Sequence, residues 1–253
     1  MKAHIVLAHP EMKSFNGQLA ELSVRGLEQQ GYSVTQSDLY RMGFDPCEGA
    51  HHFSNRSSDE VFHAQTEQRF NAGEGTLPDD VQTEIDCILA CDLLVVHFPL
   101  WWFGPPAILK GWMDRVFAYG KMYKSLERYD RGICAGKKMI ACVTTGASEA
   151  SCSHNGREGD TMMHLWPVLF PFRYLGFQVH RPEVFHGVGG VAFIEGHDGA
   201  TAIINSYEKR WHKTVSSLSD RPFISYNADS DFDDENRLLK DAPAFSPFVR
   251  QTK

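Results

Sequence analysis

His9, Ser14 and Asn16 stand together where the apolar run HIVLAHP gives way to a segment of helical spacing. An imidazole, a hydroxyl and an amide beside the unpaired N–H groups of a helix start suit a phosphate or pyrophosphate, although Ser14 or Asn16 serves equally well as a plain helix cap. Trp101, Trp102 and Phe103 follow one another after a second apolar run, LLVVHFPL. Such rings at a strand end expose apolar surface unless something flat covers them, so a planar aromatic ligand is expected. One of the three is expected instead to fill the gap between sheet and following helix. Pro99, Gly104, Pro105 and Pro106 stiffen the turn into a preformed wall. Thr144, Thr145, Gly146 and Ala147 close a third run, KKMIACVTTG, with two hydroxyls, several N–H donors and little bulk. They suit the polar edge of a flat heterocycle, or else form an ordinary glycine turn.

The elements that must carry these loops read as a βα alternation: apolar β-branched run, loop, helical segment. HIVLAHP leads into the helix QLAELSVRGLEQQG, with Gly31 where a helix commonly stops, and Ser33–Tyr40 reads as a second strand. A helix over Asp80–Ala90, a strand over Leu93–Phe98 and the helix AILKGWMDRVFAYG, entered through proline, make a further unit. Lys138–Thr145 has the near-continuous apolar character of a buried parallel strand, GFQVHRPEVF supplies a fifth, and Ala200–Val215 predicts a last helix. The expected fold class is α/β, a doubly wound parallel five-stranded sheet with helices on both faces, over residues 1–219. Residues 220–253 are expected to form an irregular tail packed on the domain or on a partner subunit. Its acidic run from Asp229 to Glu235 reads as a solvated face, with Phe232, Phe245 and Phe248 as anchors. In such a sheet ligands bind outside the carboxyl ends of the strands, where the three loops fall.

Composition narrows the classes further. The 253 residues, 42% hydrophobic, suffice for one core, and a net charge of −7 provides no basic footprint for nucleic acid. No apolar run is long enough to span a bilayer and the first residues reach His and Pro too early for a signal peptide, so a cytoplasmic protein without membrane insertion is expected. Cys47, Cys87, Cys91, Cys134, Cys142 and Cys152 are scattered without CxxC pairs and read as reduced thiols, several of them in the core.

The pieces AHPEMKSFN, SDLYRMGFDP, FPLWWFGPPAILKGWMDRVF, VTTG, the pair Gly159-Asp160 with LWP, and LGFQV resemble the NAD(P)H:quinone oxidoreductase (DT-diaphorase) family, flavodoxin-like FAD-containing homodimers, over roughly the first 215 residues. The resemblance implies two-electron transfer from NADH or NADPH through bound FAD, with FMN the lesser expectation, to a quinone or similar flat electrophile, by ping-pong hydride transfer. It places His9, Ser14, Phe15 and Asn16 on the FAD pyrophosphate and ribityl region. Pro99, Leu100, Trp101, Trp102, Phe103, Thr144, Thr145, Gly146 and Ala147 fall on the isoalloxazine, with Cys152 nearby. Tyr123 matches an aromatic that reaches the partner subunit's site, the helix AILKGWMDRVF lies where a subunit interface would form, and Gln65 lies near a further FAD contact. The chain departs from the family pattern where Cys152 and Glu158 replace a Tyr and a His that offset charge on the reduced flavin, and where Ser125 replaces a second tyrosine. His154 and Arg157, beside the altered positions, are the expected substitutes, with the backbone N–H groups of Thr145–Ala147 as fixed donors.

Other signals are weaker. GVGGVA at Gly187–Ala192 fits a loose dinucleotide pattern but lacks the βαβ setting and reads as a flexible loop. Cys47 with His51 and His52 lacks a fourth metal ligand at a typical spacing, so no metal is expected. Cys152 with His154 lacks the third group that would orient a nucleophile and base. Asp160 reads as an N-cap for MMHLWPVLF. The alternative to an enzyme is a redox-sensing flavodoxin-like regulatory subunit of a transporter, with little or no turnover.

Overall fold

The computed structural model describes residues 1–189 and 196–251. Strands β1 (Lys2–Leu7), β2 (Ser33–Asp38), β3 (Leu93–Pro99), β4 (Lys138–Thr144), β5 (Gln178–Val179) and β6 (Glu183–Phe185) all pair in parallel. Their order is β2-β1-β3-β4-β5, with β6 also on β4. This is the 2-1-3-4-5 order of the flavodoxin-like doubly wound sheet. Helices α1 (Phe15–Gln29), α2 (Ala64–Glu74), α3 (Asp79–Ala90), α4 (Ala107–Val116), α5 (Thr161–Tyr174) and α6 (Gly196–Ser216) complete the described α-helices. None of these helices is long and apolar enough to cross a membrane.

The apolar runs explain the layering. Every residue of β3 is buried, as are all but the first of β1 and of β4, whereas edge strand β2 alternates polar residues to solvent. One face, which carries Phe98 of β3, packs side chains of α3, α4 and α5, including Trp112 and Phe172; the other packs α1 and α6, including Leu19, Leu27 and Trp211. The predicted helix stop is met: α1 ends at Gln29 and Gly31 follows at φ 81°. Helix α4 turns its apolar side inward: Ile108, Leu109, Trp112, Met113 and Val116 are buried in the core, and Lys110 pairs with Asp114 on its exposed side. The core gains about 1.5–3 kcal/mol from each such side chain.

The single fifth strand expected over GFQVHRPEVF is split. His180 N–H still reaches Met139 O on β4, but Arg181 N–H turns to Pro222 O in the tail and Pro182 has no N–H to give, so pairing resumes only at Glu183. The tail beyond Asp220 is irregular, as expected, yet closely tied. Ile224 N–H bonds Val179 O, covering the edge of β5. Arg131 pairs with Asp229, Arg173 donates to Asn227 O, and Phe248 stacks on Trp166 at 5.3 Å. Phe232 bridges to Leu238, while Phe245 is exposed. All six cysteines are free, and Cys91, Cys134 and Cys142 are buried.

Candidate active site

The carboxyl ends of β1, β3 and β4 open into a cavity of about 550 Å³, a size suited to a cofactor. Its first wall is the start of α1. Ser14 caps that helix, its Oγ accepting the Gly17 N–H at 3.2 Å. The N–H groups of Phe15 and Asn16 have no partner among the described residues and sit at the positive end of the helix dipole. Cap and anion site are therefore compatible here. Phe15 and the buried Asn16 complete this wall, and Asn16 Nδ2 donates to Thr144 Oγ1 at 2.7 Å, tying α1 to the end of β4. Asn16 Oδ1 is buried without a donor among the described residues. An unsatisfied buried carbonyl costs about 1–3 kcal/mol, which a ligand O–H or N–H would recover. His9 joins the same wall, held by the Glu11 backbone, 3.0 Å from Nδ1 to N. Burial pulls its pKa below the ordinary value, with Glu11 opposing, so the ring is neutral near pH 7.

The second wall runs through Pro99, Leu100, Trp101 and Trp102. Trp101 and Gly104 exchange both backbone bonds, at 2.9 and 3.0 Å, and enclose Trp102 and Phe103 at φ 50° and 62°. Both central residues at positive φ is the signature of a type I′ turn, which ordinarily takes Asn-Gly. A bulky residue there costs about 1–3 kcal/mol. Trp101, Trp102 and Phe103 are 42%, 96% and 49% exposed. The expected core filler among the three is therefore none of them: the tight turn throws the rings outward and Leu100, half-buried, packs on the core instead.

The third wall is Thr144, Thr145 and Gly146. Of the expected backbone donors, that of Thr145 is already spent on Phe185 O at 2.9 Å; those of Gly146 and Ala147 have no partner among the described residues. Thr145 Oγ1 bonds Ala147 O and lies 3.0 Å from His186 Nδ1, while Gly187 and Val188 N–H groups bond Ala147 O and Thr145 O. This clamp brings Val188 and Gly189 into the cavity wall. The GVGG run thus contributes to the site, although Gly190, Val191 and Ala192 lie outside the described residues.

Six expected site residues stand outside this wall: Phe103, Tyr123, Ala147, Cys152, His154 and Arg157. The Phe103 ring lies 4.9 Å from that of His164, whose Nε2 is 2.7 Å from Glu158 O. Cys152 O accepts from Thr161 N–H at the start of α5, and no hydrogen bond joins Cys152 to the exposed His154. Arg157 is likewise exposed. Tyr123 packs between Tyr119 and Tyr174, and Gln65 donates to its hydroxyl at 3.0 Å. Burial raises its pKa. Asp160 caps α5 as expected, its side chain accepting the Met162 N–H at 2.8 Å. No spacing in the sequence marks His164 or His186, whereas Val188 and Gly189 belong to the GVGGVA run read as a flexible loop, which hydrogen bonds to Thr145 and Ala147 bring into the cavity wall.

The family model described as Flavodoxin-like fold (Flavodoxin_2) matches residues 1–215. The NAD(P)H dehydrogenase (quinone) 1 of Cavia porcellus is 38% identical over 233 residues, covering 88% of this chain and 83% of that one. The ribosyldihydronicotinamide dehydrogenase (quinone) of Homo sapiens is 38% identical over 185 residues, covering 72% and 80%. Among solved structures, the NAD(P)H:quinone oxidoreductase of Methanothermobacter marburgensis superposes with a TM-score of 0.65 at 27% identity, covering 87% and 97%. A Klebsiella pneumoniae chain assigned provisionally as a quinone reductase superposes at 0.79 with 28% identity, covering 95% and 92%.

Proposed function

The chain belongs to the flavodoxin-like fold family matched over residues 1–215, and from that premise we propose that it is a flavoprotein oxidoreductase that uses NADH or NADPH to reduce a quinone or similar flat electrophile. The observation that carries this reading is the cavity itself. An aromatic wall, a polar loop and a helix N-terminus converge on one space at the carboxyl edge of the sheet. Nothing in the names of these relatives favours a transporter's regulatory subunit.

The residues present fit a flavin. Trp101 and Trp102 line the cavity with aromatic rings, Gly146 offers an unspent N–H group there with that of Ala147 next in the chain, and Asn16 Oδ1 awaits a donor such as a ribityl hydroxyl. FAD rather than FMN is the reading taken from the resemblance to FAD-containing quinone reductases, the N–H groups of Phe15 and Asn16 providing a place for a phosphate of either flavin; chromatography of the flavin released on denaturation tests it. Bound there, the flavin would relay a hydride from the nicotinamide to the acceptor. The protein's share is placement, exclusion of water and stabilisation of negative charge.

His154 and Arg157 are the side chains proposed to stabilise that charge, reaching it from a neighbouring subunit or by movement of their loop. Stopped-flow reduction in His154→Ala and Arg157→Ala should slow by on the order of 10²-fold where a donor is lost. Parent rates in both would leave the work to Gly146 and Ala147. Tyr123 is assigned to a site shared across a homodimer. Residues 1–219 are read as the flavin-binding domain, 220–253 as a tail packed on it, and the cytoplasm as the compartment, in keeping with six free thiols.

The experiment that tests the reading is steady-state kinetics with varied NADH or NADPH and a water-soluble quinone. Parallel double-reciprocal lines are expected, because both substrates use one cavity in turn. Absence of nicotinamide-dependent quinone reduction by flavin-loaded protein would overturn it.

A further inference from the structure

Away from the cavity, the connection between β2 and α2 carries a group of side chains to which no role has been given. Asp45, His51 and His52 bring one carboxylate oxygen and two ring nitrogens within 4.8 Å of one another. His51 Nε2 lies 3.3 Å and His52 Nε2 3.4 Å from the same atom, Asp45 Oδ2. Charge-assisted hydrogen bonds to a carboxylate run about 2.7–2.9 Å, so both separations are long: His51 makes only a long hydrogen bond to Asp45, and His52 Nε2 lies closer to Cys47 O than to the carboxylate. They match something else. Ligand atoms about 2.0–2.1 Å from a tetrahedral zinc ion lie about 3.3–3.4 Å apart along each edge. We propose that Asp45, His51 and His52 form a binding site for a divalent transition metal of the zinc type, distinct from the flavin cavity.

The loop is built to hold these atoms in place. Cys47 N–H donates to Asp45 Oδ1 at 2.9 Å, fixing the carboxylate so that Oδ2 faces both rings. The buried Arg115 donates to Asp45 O at 2.9 Å and packs 4.9 Å from the centre of the Phe44 ring, anchoring the backbone to α4. Pro46 lies so close to α4 that a Cβ on Gly111 would fall 2.1 Å from its carbonyl oxygen. A Cβ on Gly49 would fall 2.8 Å from His51 Nδ1, so the position seats the His51 ring by having none. The two rings sit 4.0 Å apart, centre to centre. The ligand that the spacing of Cys47, His51 and His52 lacks is thus Asp45, and the sulfur is not part of the set. The Cys47 carbonyl, 3.0 Å from His52 Nε2, and water are available to complete the sphere. A metal there would staple a long connection that has no strand or α-helix of its own between Asp38 and Ala64.

Isothermal titration of the tag-free, full-length, flavin-loaded protein with Zn²⁺ tests the assignment. One equivalent should bind, and His51→Gln, His52→Gln and Asp45→Asn should each weaken binding by more than about tenfold, while Cys47→Ser leaves it unchanged. Zinc should raise the melting temperature of the parent and not of His51→Gln, whose side chain is exposed and whose folding and quinone turnover are expected to match the parent's. No zinc binding by the parent, equal binding by the three ligand variants, or loss confined to Cys47→Ser would each overturn the proposal.

Discussion

Single atoms decide much of how this cavity works. Asn16 bridges α1 to Thr144 through Nδ2 while leaving Oδ1 unpaired. Asn16→Ala should therefore lower the stability of the flavin-free protein by only about 1 kcal/mol, the net worth of one hydrogen bond. It should weaken flavin retention more severely, because the ligand loses its acceptor. Comparing melting temperature and flavin occupancy in the same preparation checks both halves. His97, also fully buried, is a different case. Its Nε2 lies 2.9 Å from Ser23 Oγ, which in turn accepts from Trp211 Nε1, and its Nδ1 has no partner among the described residues. Burial pushes its pKa down to about 3 from 6.5. Between those values the unfolded chain takes up a proton that the folded chain refuses, so stability is full above pH 6.5 and falls as pH drops, by up to about 1.4 kcal/mol per unit from this residue. Urea unfolding of His97→Asn between pH 7 and 5 should show a shallower pH dependence than the parent; an unchanged slope would refute the assignment.

At the scale of elements, the Trp102-Phe103 turn stores strain that Asn-Gly would relieve. The double variant Trp102→Asn, Phe103→Gly is expected to melt higher, by a stability gain on the order of 1 kcal/mol or more, and to be isolated largely without flavin. Unchanged flavin occupancy would show that the rings serve some other purpose. What the sequence makes legible follows a physical rule. β1, β3, β4, α1, α3 and α4 have apolar periodicity or continuity and are placed within a few residues, because burial demands that pattern. Helix α2 escapes, since its buried face is polar: Glu67, Gln68 and Asn71 turn inward, with Arg56 pairing Glu67 at 3.0 Å. The break between β5 and β6 depends on Arg181 finding Pro222 some forty positions away, which no local pattern records. The loops of the cavity are likewise legible as three clusters, whereas the contribution of Val188 and Gly189 rests on hydrogen bonds to Thr145 and Ala147 made only in three dimensions.

The whole molecule presents apolar surface beside its cavity and covers its sheet edge with its own tail. Trp101, Trp102, Phe103, Met162 and Met163 are all at least one-third exposed. Such a surface fits a second subunit, so sedimentation at micromolar concentration should give twice the 28.6 kDa chain mass; a purely monomeric species would remove the shared-site assignment of Tyr123. Deleting residues 220–253 uncovers β5 and strips Ile224 and Tyr226 from the core, and should lower the melting temperature and promote aggregation through the freed edge. An equally stable, soluble truncated protein would contradict that role for the tail. In the proposed function the chain passes electrons from a nicotinamide to a quinone through a flavin held in the cavity between β1, β3 and β4. Its most direct test is anaerobic absorbance spectroscopy of the purified protein. The account predicts a yellow protein that NADH or NADPH bleaches and that added quinone restores in full. A protein that binds no flavin, or whose bound flavin neither nicotinamide reduces, would contradict it.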